Sequence, residues 1–229
     1  MIKKYQVAII IFLVTLILGL VIGLPLPDDA RIPMHWNVEG EVDNTTSKTM
    51  GLIMMPGIIL VLLLFFMFFP LISTRYKEQE QRFKKILPMF ANIMILMFSS
   101  IYLLSLVVAR EAHFDGTELM WVLLGILFIL LGNLFPKLPS SFFIGIRTPW
   151  TLSSEEVWRK THRVGGYAFV IGGIFFILAG VVGGILGIGR ILFYVILGLM
   201  VIYPILYSYI EYQKVLKKGD KEEESGSVK

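Results

Sequence analysis

The stretch VAIIIFLVTLILGLVIGLPL, Val7 to Leu26, decides the fold class because it runs for 20 residues without a charge. A helix of about 20 apolar residues spans the hydrocarbon core of a bilayer. Five further apolar segments follow, so the sequence predicts an all-α integral membrane protein with six transmembrane helices. The six segments are Val7–Leu26, Gly51–Ile72, Pro88–Ala109, Leu119–Phe135, Val164–Leu186 and Ile191–Ile210.

The composition supports this class and excludes several kinds of site. Of the 229 residues, 56% are hydrophobic and only 17% are charged, whereas a soluble domain needs polar surface to cover its core. The chain has no Cys, which excludes disulfides, thiolate metal sites and a Cys nucleophile. The first apolar run follows Lys3 and Lys4 as in a signal peptide, but it is longer than usual and no small-residue cleavage motif follows. We therefore expect a retained first helix.

The distribution of basic residues predicts the topology. With the N and C termini inside, 17 of the 21 Lys and Arg residues fall on the inner side. The formal net charge of +4 is therefore explained by membrane orientation, and no direct nucleic-acid partner is predicted. Membrane lipid is the expected partner, with Arg82, Lys84 and Lys85 placed to hold anionic head groups.

Four regions follow from the predicted spans. Residues 1–72 hold two spans and an ordered outer loop, and residues 73–118 hold a basic inner loop and the third span. Residues 119–212 hold the last three spans and a second inner loop, and residues 213–229 form a charged cytosolic tail.

The second inner loop is a polar interval between two hydrophobic runs. Pro149 favours an extended Thr148. Ser153 and Glu156 have capping-box spacing, which predicts a short amphipathic helix from about Ser154 to Arg163 at the inner membrane surface, before span five. Glu156 and Lys160 are at i,i+4 in that helix, and Trp158 and His162 share a face.

Two kinds of role stay open for the polar residues of this loop. Trp150 and Trp158 suit the head-group layer, and Arg147 suits contact with lipid phosphate. Alternatively, Arg147 locks the loop to polar groups in spans three and four, such as Asn92 and Asn133.

The outer loop, RIPMHWNVEGEVDNTTSK from Arg31 to Lys48, is a second concentration of polar residues. Gly40 fits a turn, and Asn37 and Asp43 suit bonds to nearby backbone, so the loop is expected to be ordered. His35 and Asp43, with His113 or Asp115, are candidate metal ligands by residue type, but their spacing is not diagnostic. The sequence predicts no metal and no cofactor.

Two motifs resemble a known family. PMHWNVEGEVDNTTSK, Pro33 to Lys48, resembles the signature of the DUF1648 domain, and the segment Gly132 to Gly166 resembles the signature of the SdpI family of bacterial and archaeal membrane proteins. Ser141 stands where that family often has Asn. The resemblance implies contact with a ligand at the outer loop and relay or docking at the inner loop. The outer residues are His35, Trp36, Asn37, Gly40 and Asp43, and the inner ones are Gly145, Arg147, Thr148, Pro149, Trp150, Trp158 and His162.

The family's best-known role is immunity to a secreted peptide toxin. The resemblance therefore implies a multi-pass immunity protein of the cell membrane, with a secreted peptide toxin as outer partner. It also implies a sensor that holds a small cytosolic transcriptional repressor at the membrane. A small transporter or permease is the alternative, although no span carries a charge in its middle. We do not expect an enzyme, because neither loop offers a nucleophile at a readable spacing.

Overall fold

The computed structural model describes residues 2–37, 40–73, 76, 79–111, 114, 116–186 and 190–226. Six of its helices are long and apolar enough to cross a membrane, as predicted. They are α1 (Gln6–Gly23), α2 (Lys48–Ile72), α3 (Glu80–Arg110), α4 (Thr117–Leu134), α6 (Glu155–Leu186) and α7 (Arg190–Gly226). A short helix, α5 (Pro149–Ser153), precedes α6, and 3₁₀ turns cover Ile2–Tyr5 and Phe135–Lys137.

Several helices extend beyond the apolar segments. The third was predicted from Pro88, but α3 begins at Glu80, so Pro88 lies inside it. The first turns of α3 carry polar residues, among them Glu80 and Lys84, whose side chains form an ion pair at 2.6 Å. Because these turns are not apolar, the apolar segment read from the sequence did not include them. Likewise α7 continues through the charged tail as far as Gly226.

A β-hairpin adds to the predicted all-α architecture. Strands β1 (Arg31–Trp36) and β2 (Val42–Ser47) pair in antiparallel register within the outer loop. Ile32 of β1 is fully buried in the cluster that joins α1, α2 and α3. Because one side chain of a strand is buried in the bundle, the loop becomes a fixed hairpin and not only a series of turns.

The N-terminal half of the bundle consists of α1, α2 and α3 under the hairpin. Its buried core includes Ile59 and Leu63 of α2 and Tyr102 and Leu106 of α3. At the outer end Lys48 donates from Nζ to the Leu26 carbonyl at 2.6 Å. That bond ties the start of α2 to the end of the first span.

The C-terminal half consists of α4, α6 and α7, and a glycine seam joins the first two. Gly125 of α4 lies opposite Gly173 of α6, and Gly132 lies opposite Gly166. A Cβ atom added to any of these four glycines would lie 2.5–2.7 Å from the backbone carbonyl oxygen of its partner. Without side chains, the two helix backbones approach each other closely, as small residues allow in membranes.

The short interfacial helix predicted before span five has different boundaries in the structure. The helix does not end near Arg163, because α6 runs without a break from Glu155 to Leu186. Its N-terminal hydroxyl acceptor is Ser154 Oγ, 3.4 Å from the Val157 amide, whereas Ser153 Oγ donates to the Trp150 carbonyl. The Gly165–Gly166 pair packs on Ile146 and Gly132. This packing lies where the polar N-terminal turns of α6 meet its apolar turns, and it keeps both in one continuous helix. The position of those turns at the membrane surface stays a prediction.

The orientation of the termini also stays a prediction, and the absence of Cys offers a clean test of it. We expect a Cys introduced at Asp29, which is exposed before β1, to react with a membrane-impermeant maleimide in intact cells. A Cys at the exposed Arg159 should react only after permeabilisation. The reverse labelling pattern would contradict the inside assignment of the termini.

Candidate functional site

The candidate outer site centres on an exposed histidine–aspartate pair. His35 Nδ1 lies 2.6 Å from Asp43 Oδ1 across the hairpin, and 66% and 43% of the two side chains are exposed. The carboxylate fixes the orientation of the imidazole. In the part of the chain that is described, the other ring nitrogen has no hydrogen-bond partner. The pair thus presents an oriented polar group on the surface of the hairpin.

A metal at this pair would need a third side-chain ligand. Among the described residues no group of three His, Asp or Glu side chains could hold a metal ion. The other two candidates considered from the sequence, His113 and Asp115, lie outside the described residues.

Backbone hydrogen bonds and the Asn37 side chain help to form the turn of the hairpin. The Asn37 side-chain oxygen accepts from the Glu41 amide at 2.9 Å, as predicted for an Asx-type turn. Gly40 has φ +83°, a conformation that favours glycine, which confirms the turn expected there. Among the described residues Asp43 pairs with His35 and not with local backbone.

Trp36 is half-buried, and its indole nitrogen is buried with no hydrogen-bond partner in the described part of the chain. The five candidate outer residues therefore share one hairpin but differ in exposure. His35 and Asp43 are open to a ligand, Asn37 is partly exposed, and Gly40 is buried.

The inner candidate site is built around His162. Its ring stacks on Trp158 with 3.9 Å between centroids and an interplanar angle of 22°, so these residues share a face as predicted. Nδ1 lies 2.8 Å from the Trp158 carbonyl and Nε2 accepts from the Ile146 amide at 2.9 Å. One nitrogen must donate and the other must accept, so these bonds select the neutral ring protonated at Nδ1. With 1% of its surface exposed, His162 holds the loop to α6.

Gly145 makes this contact possible. Its φ is +117°, and an added Cβ would lie 2.9 Å from the Trp158 ring. Trp158 is itself buried, and its Nε1 donates to the Leu138 carbonyl at 2.8 Å. The loop folds over the Trp158 ring and shields it from lipid head groups, and the depth of the ring in the membrane stays a prediction.

A second set of bonds joins the loop to α7. Thr148 is extended before Pro149, as predicted, and forms a capping box with Thr151 at the start of α5. The Thr148 hydroxyl also lies 3.2 Å from the hydroxyl of Ser208 on α7. Thr151 Oγ1 donates to the Ile146 carbonyl at 2.9 Å, so one hydroxyl network holds the loop, α5 and α7 together.

Three of the inner candidates reach the surface instead. Arg147 and Pro149 are exposed, and Trp150 is half-exposed with its ring 5.1 Å from that of Tyr209. Arg147 Nη1 donates to the Phe142 carbonyl at 2.8 Å. The structure therefore does not support a lock between Arg147 and Asn133, whose side-chain amide donates to Ile129 within its own helix.

Asn92, the other partner considered for Arg147, lies on α3 with a buried side-chain oxygen that has no hydrogen-bond partner among the described residues. Arg147 instead stabilises its own loop.

The ion pair predicted at i,i+4 in α6 is present, and it belongs to a larger cluster of charged side chains. Lys160 Nζ lies 2.9 Å from Glu156 and also 2.9 Å from Glu211 of α7. Glu211 also pairs with Lys214 at 2.6 Å, and only 5% of its side chain is exposed. Neither Glu211 nor Ser208 was singled out from the sequence, because the contacts that join them to Lys160 and Thr148 span 51 and 60 residues.

Comparison with known proteins matches the same two parts of the chain. Residues 137–208 match the SdpI/YfhL protein family, and residues 10–60 match the DUF1648 domain. A relative from Bacillus subtilis (strain 168), named Immunity protein SdpI, is 27% identical over 214 residues. That match covers 93% of this chain and 98% of the relative.

The chain thus resembles SdpI family members in both matched parts and along most of its length. With its six apolar helices, it is a multi-pass protein of the cell membrane. The SdpI/YfhL match runs from Lys137 to Ser208 and so contains both partners of the Thr148–Ser208 contact. The DUF1648 match contains the hairpin, and α3 and α4 lie entirely between the two matches. No solved structure matches the chain.

Proposed function

We propose that this chain is a membrane immunity protein that protects the cell against a secreted peptide toxin. The observation that carries the proposal is similarity to a protein named as an immunity protein along almost the whole length of both chains. Such coverage includes the outer hairpin and the inner loop together. The proposed action is non-enzymatic, and we assign no catalytic residue.

The outer hairpin is the proposed contact surface for the toxin. His35 and Asp43 are exposed, oriented by each other and free of any structural bond to the bundle in the described chain. Such a pair can change its partner at little cost to the fold. A secreted toxin meets the outer face first, which favours this location over the inner loop.

Exchange of either member of this pair should weaken protection. We expect His35→Ala and Asp43→Asn each to lower the toxin dose that cells survive by about tenfold, since a contact residue is worth roughly 1–2 kcal/mol. The measurement is growth of a sensitive bacterium, lacking its own immunity protein, against titrated Sdp-type peptide toxin. Asp29→Asn, an exposed outer carboxylate outside the hairpin, is the matched control. Equal survival for all three variants at equal membrane levels would remove the hairpin from the site.

The inner loop is the proposed relay or docking surface for a small cytosolic repressor. Arg147, Pro149 and Trp150 are the candidates that reach the surface, while the buried members of the loop keep it folded. A rigid loop with an exposed cation and a half-exposed aromatic ring has the composition of a protein contact. Relay further requires two arrangements of the bundle that bind the toxin differently.

Arg147→Ala separates relay from protection. Among the described residues its side chain bonds within its own loop alone, so we expect insertion to be unchanged and toxin-dependent recruitment of a cytosolic partner to fall. Recruitment is measured by crosslinking in intact cells, with Arg159→Ala, another exposed inner arginine, as the control. If Arg147→Ala recruits the partner and protects as well as the unaltered chain, Arg147 has no relay role.

A further inference from the structure

The tip of the outer hairpin rests on a helix of the other half of the protein. Thr117, the first residue of α4, donates from Oγ1 to the Gly40 carbonyl at 2.8 Å. Gly40 is buried, although it lies in the turn of a hairpin whose central pair is exposed. The tip therefore does not extend freely into solvent.

The contact at Gly40 is close enough to fix the position of the turn. A Cβ atom at Gly40 would lie 2.9 Å from Trp121 Nε1 and 3.4 Å from Thr117 Cβ. The φ of +83° adds a backbone reason for glycine at the same place. Steric fit and a hydrogen bond thus act on the same residue.

Trp121 is held by the remaining helices of the C-terminal half. Its ring lies 5.5 Å from Phe176 of α6 and 5.3 Å from Phe193 of α7, in tilted and edge-on arrangements. The surface under the hairpin tip, formed by Thr117 and Trp121, is hereafter the α4 seat. It belongs to the C-terminal half.

The base of the hairpin belongs to the N-terminal half instead. Ile32 is fully buried against α1, α2 and α3, and Lys48, just after β2, bonds the Leu26 carbonyl. His35 and Asp43 lie between this base and the tip. Contacts with both halves of the protein therefore fix the position of His35 and Asp43.

We propose that Thr117 and Trp121 are positioning residues of the outer site, and that the hairpin acts while seated on α4. The proposal rests on the proposed function only where protection is measured. The seating itself is measured without a toxin. It adds to the outer site two residues that do not belong to the hairpin motif.

Single substitutions test the role of the seat. We expect Thr117→Val, which keeps the shape but removes the donor, to speed proteolytic cleavage after the exposed Glu41 about fivefold, the effect of one net hydrogen bond. Trp121→Ala should have a larger effect, while Thr117→Ser keeps the donor and should restore resistance. The melting temperature of Thr117→Val should stay within a few degrees, because this change removes one hydrogen bond and keeps the shape of the side chain.

The outcomes separate the two proposals. Faster cleavage with reduced protection, at unchanged insertion, supports positioning. Unchanged cleavage in both Thr117→Val and Trp121→Ala overturns it, whatever the survival result. If even the unaltered chain gives no protection, the proposed function fails, whereas the cleavage results still decide whether the hairpin sits on α4.

Discussion

Gly173→Val should lower the melting temperature of the detergent-solubilised protein by about 10 °C. A Cβ at Gly173 would lie 2.6 Å from the Gly125 carbonyl oxygen and 3.0 Å from the Ile129 amide nitrogen. Both atoms belong to the backbone of α4, so the clash is relieved only when α4 and α6 move apart. Overpacking costs about 1–3 kcal/mol, occasionally more, and each kcal/mol shifts the melting temperature by about 2–4 °C at this chain length.

Gly57→Val is the matched control for this prediction. Gly57 also lies inside a membrane-spanning helix, α2, but a Cβ there has no atom within 4 Å. The same chemical change should therefore alter the melting temperature by no more than about 2 °C, since surface substitutions are usually within 0.5 kcal/mol. Equal shifts for the two variants would show that the glycine seam does not hold α4 to α6.

His162→Ala should also lower the melting temperature by about 10 °C, for a different reason. The ring accepts from the Ile146 amide and stacks on Trp158, so its removal leaves a buried donor without a partner and opens a cavity. An unsatisfied buried group costs about 1–3 kcal/mol, and truncation of a large buried side chain adds about 2–3 more. His162→Phe refills much of the volume without the hydrogen bonds and should fall between Ala and the unaltered chain.

His35→Ala is the matched control for His162→Ala. It removes the same side chain from the exposed hairpin, so the melting temperature should change by about 2 °C or less. Protection against the toxin should show the opposite order. His35→Ala should protect less well, although its level of folded protein is normal. A large loss of stability in His35→Ala, or none in His162→Ala, would contradict the account in which His35 contacts the toxin and His162 keeps the inner loop folded.

Local sequence signals predicted the structural features that depend on interactions between neighbouring residues. The six spans followed from the length of their apolar runs, and the Glu156–Lys160 pair, the extended Thr148 and the turn at Gly40 followed from spacing and residue type. Each of these depends on neighbours within a few residues. The sequence was therefore sufficient for them.

Features that depend on distant partners did not follow from the sequence. The outer loop became a hairpin because Ile32 finds a place in the helical core. Trp158 became buried because Leu138 and Gly145 fold over it, and α6 stayed continuous because its glycines meet α4. The α4 seat joins Gly40 to a residue 77 positions away. No pattern within one segment encodes such contacts.

One helix touches both candidate sites. The first residue of α4 holds the hairpin tip, and Phe135, just after its last residue, lies 6.0 Å from the ring of His162. The glycine seam joins α4 to α6, which carries Trp158 and His162. The outer and inner sites are thus attached to the same pair of closely packed helices.

Survival of a toxin-sensitive bacterium is the measurement that tests the central claim most directly. Cells that express the chain, with membrane insertion confirmed, are compared with cells that carry an empty vector under titrated Sdp-type peptide toxin. An immunity protein should raise the survivable dose by at least about tenfold, which corresponds to roughly 1.4 kcal/mol. Equal killing of the two strains, with the chain inserted and folded, would contradict the immunity function.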